Sequence, residues 1–190
     1  MCLIAVAWRT HPRYELALIA NRDELHARPA APAGFDPAAP DVYGGRDLQA
    51  GGGWLMVSTR GRLAAVTNVR AGFAADAAPR SRGALVRDFA RGEATAAEYR
   101  EALRATAMEH GRFNLLVWDG AELGFAGNHP DFDSRPVEAG MHAMSNGAFD
   151  APWPKSGRAT RALATWLDSP AADAPPDAST LAPLLDALAD

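Results

Sequence analysis

MCLIAVAWRTHPRYELALIANRDE, residues 1–24, is the stretch from which the architecture can be read. Two apolar runs, Leu3 to Trp8 and Tyr14 to Ala20, flank a polar turn of Arg9, Thr10, His11 and Pro12. That pattern predicts an antiparallel hairpin, and both runs read as buried strands. The hairpin returns the polar cluster Asn21, Arg22, Asp23 and Glu24 to the neighbourhood of the N-terminus. Pro29, Pro32, Pro37 and Pro40 then punctuate a stretch expected to be an extended loop.

Working outward, Gly51 to Gly53 introduce a second hairpin, Trp54 to Ser58 and Leu63 to Val69, turning through Thr59, Arg60, Gly61 and Arg62. Ser81 begins a helix. Thr95, with Glu98 three residues on, forms a capping box for a second helix ending near Gly111. A third hairpin, Phe113 to Trp118 and Glu122 to Ala126, surrounds the turn dipeptide Asp119-Gly120. A further strand ends at Ser145, helical spacing runs from Lys155 to Leu167, and a last helix, Ser179 to Leu188, follows a loop containing Pro170, Pro175 and Pro176. Strands that arrive in pairs, rather than singly between helices, favour an α+β fold over a doubly wound parallel sheet.

At 190 residues, with 48% hydrophobic and 22% charged residues, the chain has the composition of one folded domain, residues 1–190. Its net charge is -4 and its basic residues are arginines apart from Lys155, a bias shared with its frequent alanine. No basic stripe with interleaved aromatics stands out, so nucleic acid is not an expected partner. The N-terminus carries no signal-peptide pattern, and no run of about 18 apolar residues is present, so no membrane partner is expected. One cysteine cannot close an intrachain disulfide, which suits a reducing, cytoplasmic setting.

The histidines His11, His26, His110, His129 and His142 lie far apart, and none pairs at metal-ligand spacing. They read as solvated or core residues, and no metal is expected. Gly44-Gly45 and Gly51 to Gly53 lack the Gly-Lys-Ser/Thr ending of a phosphate loop and read as turns. Trp54, Trp118 and Trp166 read as core fillers. Trp153, between Pro152 and Pro154 and close in sequence to Asn146, either walls a pocket or packs a loop.

The chemistry centres on Met1-Cys2. Methionine is normally removed when a small residue follows, which would leave Cys2 with a thiol and a free α-amine. An amine of pKa roughly 7.7 to 8.0 can take a thiol proton near neutral pH, so nucleophile and base reside in one residue. A lone cysteine is otherwise most often a small buried hydrophobe. The polar cluster tips the balance, since an arginine there can hold a thiolate and an acid can orient the amine. Asn21 has the commoner role of capping a turn.

Cys2 with its apolar followers, "ANRDE", Arg28-Pro29, "GGGWLMVSTRGRLAAVTNVR" from Gly51, "RSRGALVRDF" from Arg80, "FNLLV" from Phe113 and "SNGAFDAPWPK" from Ser145 resemble the NRDE family. The family takes its name from Asn21, Arg22, Asp23 and Glu24 of this motif and is also called transport and Golgi organisation protein two-like. The resemblance implies an N-terminal-nucleophile (Ntn) hydrolase-like αββα sandwich, with antiparallel sheets packed between helical layers. More distantly, the chain is similar to the penicillin V acylase and bile salt hydrolase group, which cleaves amides with an N-terminal cysteine. By that resemblance Cys2 is the nucleophile, Arg22 and Asp23 take the arginine and acid roles, and Asn146 and Asn68 are oxyanion donors. Such donors contribute on the order of 3 kcal/mol each. The distant group spaces its acid differently, which leaves open whether Asp23 or Glu24 faces Cys2. Family members continue for dozens of residues into strands with a Tyr-Gly-Thr-Arg-like motif, so this chain is expected to be C-terminally incomplete.

Two functions follow from the resemblance. One is a cysteine amidase or acylase that acts on a small amide substrate through a thioester and needs no cofactor. The other is a non-catalytic carrier, with haem as its ligand, since eukaryotic relatives are associated with haem trafficking and Golgi organisation. No Cys-x-x-Cys-His haem motif occurs.

Overall fold

The computed structural model describes residues 2–72, 78–175 and 177–189, so Met1 and Pro176 lie outside the described residues. Along the chain run β1 (Leu3–Trp8), β2 (Leu16–Asn21), β3 (Ala30–Asp36), β4 (Ala39–Asp47), β5 (Leu55–Ser58), β6 (Arg62–Asn68), α1 (Arg82–Arg91) and α2 (Ala96–Leu103). Then follow β7 (Phe113–Trp118), β8 (Leu123–Gly127), β9 (Asp133–Pro136), β10 (Gly140–Met144), α3 (Pro154–Leu167) and α4 (Ala178–Leu188). Every ladder between these strands is antiparallel, so the fold is α+β with antiparallel sheets. Among the described residues, no helix is long and apolar enough to cross a membrane.

The chain forms two compact units. The first combines residues 1–23 with 138–190. Its sheet has the order β10-β1-β2, with Leu3 opposite Asn21 and Ile4 opposite Met144. Leu3, Ala5 and Ala7 alternate along β1 and pack with Ala159, Leu163, Trp166 and Leu167 of α3 and Leu184 of α4. Successive side chains of a strand point to opposite faces, so this alternation is what seats α3 on the sheet. Trp166 also donates its indole N–H to the Thr180 carbonyl at 2.7 Å, tying α3 to α4. The expectation of two buried strands holds for β1 alone: β2 is an edge strand, buried only at Ile19.

The second unit, residues 24–137, carries a seven-stranded meander, β3 to β9 in chain order. Val42, Met56, Ala64, Val66, Leu115 and Val117 pack there with Leu85, Val86 and Phe89 of α1. Phe89 is fully buried, meets Tyr99 edge to face at 5.1 Å, and carries the Arg62 guanidinium 4.0 Å above its ring. Phe89→Ala is therefore expected to cost about 3–5 kcal/mol, read as a lowered urea midpoint at unchanged slope.

Two expectations are corrected here. The proline-punctuated stretch is a hairpin, β3 and β4, instead of a loop. Proline is tolerated because β3 is the sheet edge, and its ladder is interrupted between Ala31 and Gly34 and between Phe35 and Asp36. The helix begun by the capping box ends at Leu103, short of Gly111. A short 3₁₀ turn, Ala107–Glu109, follows, and Asn128 Nδ2 donates to the carbonyls of Ala107 (2.9 Å) and His110 (3.2 Å). The polar strand β9 was not anticipated.

The glycine run before β5 is a turn, with Gly51 at φ +73, and also a close approach. A Cβ on Gly52 would lie 2.3 Å from the Gly83 carbonyl carbon, in the first turn of α1.

Candidate active site

Cys2 immediately precedes β1 and is half-buried. Because Leu3 lies opposite Asn21, the end of β2 delivers Arg22 and Asp23 beside it. Cys2 Sγ lies 3.8 Å from the main-chain carbonyl of Asp23, a weak thiol hydrogen bond. Arg22 is half-buried and the Asp23 residue is exposed. Glu24 belongs to the second unit, where its carboxylate accepts from Leu25 N at 3.0 Å and lies 3.8 Å from Arg28 Nε. Asn68 also belongs to the second unit, at the exposed end of β6, paired with Phe113.

The other side of Cys2 is met by the connector that leaves β10. Ser145 donates its hydroxyl to the Cys2 carbonyl at 2.7 Å, and Lys155 donates its ammonium to the same oxygen at 3.3 Å. Asn146 follows Ser145 directly and is only 3% exposed. The structure thus gathers Cys2, the Asp23 main chain and the Ser145-Asn146 dipeptide in the first unit. Ser145 and Lys155 were not singled out from the sequence as site residues. The available signal was that Lys155 is the one lysine in the chain.

A second cluster anchors the connector. Asp150, at φ +59, accepts from Ala143 N at 2.8 Å and donates its own N–H to the Ala143 carbonyl at 2.9 Å. It thereby occupies main-chain groups of β10, one of the two edge strands of its sheet. His142 Nδ1 faces Asp150 Oδ2 at 2.8 Å and Nε2 faces the Glu138 carbonyl at 2.9 Å. Both partners are acceptors, so both ring nitrogens donate only when the imidazole is charged. The Asp150 hydrogen bond raises the His142 pKa above 6.5, against an opposing effect of burial. A raised folded-state value means stabilisation present below pH 6.5 and lost as pH rises through the raised value. The wild-type Tm is expected to fall across that window relative to Asp150→Asn, whose profile should be flatter.

A cleft of about 670 Å³ opens beside this clasp, lined among others by Met141, His142, Trp153, Thr160 and Arg161. Trp153 therefore stands in a cleft wall. Among the described residues, no group of three or more His, Cys, Asp or Glu side chains is placed to hold a metal.

The model of the family described as Transport and Golgi organisation 2 matches residues 1–190. The chain is 34% identical over 168 residues to the bovine Transport and Golgi organization protein 2 homolog, and 32% identical over 167 residues to the human one. Each match covers 82% of this chain and 60% of the relative, so the chain spans about three fifths of the length of these relatives. In fold it is similar to a Caenorhabditis elegans N-acylethanolamine-hydrolyzing acid amidase ortholog, an Ntn-hydrolase structure, at a TM-score of 0.63 and 11% identity. That match covers 100% of this chain and 86% of the other. A family model matched from end to end, on a fold of the Ntn-hydrolase kind, identifies this chain as a member of the Transport and Golgi organisation 2 family.

Proposed function

We propose that the chain is an N-terminal-nucleophile cysteine amidase acting on a small amide. The observation that carries this reading is the placement of Cys2, with its thiol at the Asp23 main chain and its carbonyl held by Ser145, the residue before buried Asn146. Once Met1 is removed, the α-amine of Cys2 takes the thiol proton and the thiolate attacks the amide carbonyl. The carbonyl oxygen becomes an oxyanion, to which the Asn146 carboxamide donates. The C–N bond then breaks, the α-ammonium returns its proton to the leaving amine, and water hydrolyses the resulting thioester. In this reading Arg22 and Asp23, the two residues that follow β2, hold the thiolate and orient the amine.

The reading is tested by mass spectrometry of the purified chain followed by labelling with a thiol-reactive acyl mimic. The expected result is an N-terminus at Cys2 and one label per chain, absent in Cys2→Ala. Amide turnover by a chain that retains Met1 would rule the reading out. The carrier reading predicts instead a saturable Soret shift on haem titration that depends on Cys2 or a histidine; the amidase reading predicts none.

A further inference from the structure

We propose that Lys155 is a positioning residue that seats the nucleophile and sets the connector carrying Asn146; this rests on the amidase reading. A residue freed by methionine removal has no preceding peptide to hold it, and terminal residues fray unless tied down. Cys2 also lies outside the β1 ladder, which begins at Leu3. Its carbonyl is held by side chains from both ends of one connector: Ser145 Oγ at 2.7 Å, just past β10, and Lys155 Nζ at 3.3 Å, in the first turn of α3. Gripping that oxygen restricts rotation about the Cα–C bond, which swings the α-amine and the thiol-bearing Cβ together.

The same side chain reaches the connector itself. The Lys155 ammonium lies 5.3 Å from the centroid of the Trp153 ring. That ring packs so closely on Gly147 that a Cβ there would stand 3.0 Å from Trp153 Cζ2. Gly147 is the residue after Asn146. Lys155 thus sits between the nucleophile on one side and, through Trp153 and Gly147, the oxyanion donor on the other. Residue choice fits this role. Of the 19 lysine and arginine residues, 155 alone is lysine, a compact ammonium suited to one carbonyl and one ring face, where a guanidinium presents a wide planar fork.

The test combines kinetics with a spectroscopic readout that the single cysteine makes simple. Labelling with carbonyl-¹³C cysteine gives one resonance, from the oxygen-bearing carbon that Lys155 and Ser145 address. In the 190-residue chain, Lys155→Met is expected to move that resonance and slow acyl labelling of Cys2 about tenfold, with KM for the amide changed less than twofold. Lys155→Arg, which keeps the charge but presents a wide planar fork, is expected to recover only part of the rate. Ser145→Ala should move the same resonance, which keeps the test open if Lys155→Met does not fold. A labelled wild type whose rate and resonance are unchanged in Lys155→Met overturns the inference alone. A wild type whose Cys2 takes no acyl label overturns the amidase reading and the inference with it.

Discussion

Cys2→Ala is expected to lower amide turnover by on the order of a thousandfold or more, to the background of the assay, while the chain stays folded. The size follows from the proposed role: alanine removes the atom that forms the covalent bond, and the remaining donors can only stabilise a slower attack by water. The fold should survive because Cys2 precedes β1 and is half-buried, so the leucine and alanine contacts of β1 with α3 are untouched. Cys2→Ser separates two properties. It keeps the α-amine and a hydroxyl in place but replaces the thiolate by a much weaker nucleophile, so activity should fall nearly as far while the carbonyl contacts to Ser145 and Lys155 remain. Loss of turnover with Tm within a few degrees of wild type is the expected pattern.

Asn146→Ala is expected to reduce kcat by about 10²- to 10³-fold with a small change in KM, the behaviour of a donor engaged only as charge develops on the substrate oxygen. Asn146→Asp should be at least as damaging, because it sets a carboxylate where negative charge forms. Asn146 is buried and follows the residue that grips Cys2, so its substitution also carries a structural cost. Chemical denaturation separates the two effects: a kcat loss that persists far below the unfolding midpoint belongs to the site.

Much of this arrangement was legible in the sequence because it is local. The first hairpin forms where two apolar runs flank a polar turn, and its register alone brings Asn21 opposite Leu3. Asp119-Gly120 makes the expected turn, with Gly120 at φ +91, and the Thr95 box is closed by both its bonds, at 2.8 Å and 3.2 Å. Proline misled the reading of residues 30–47, since its cost depends on whether a strand is central or at the edge, which periodicity does not reveal. The polar sequence of β9 gave no strand signal for the same reason: four residues at a sheet edge need no apolar alternation.

At the site, Arg22 and Asp23 followed from the hairpin, whereas Asn146 came through resemblance. The grip on Cys2 joins residues 143 and 153 positions apart, a separation at which spacing rules carry no information. The His142-Asp150 clasp was missed because an isolated histidine becomes informative only when the acceptors around both its nitrogens are known.

The central claim, a covalent role for the thiol of the first residue, is tested most directly by trapping the intermediate. Wild-type chain mixed with a slowly hydrolysed amide and quenched in acid is predicted to gain one acyl group, mapped to the N-terminal peptide at Cys2 and released by neutral hydroxylamine. Turnover of that amide with no acyl mass at Cys2 on any timescale, or with the acyl group on another residue, would contradict the account.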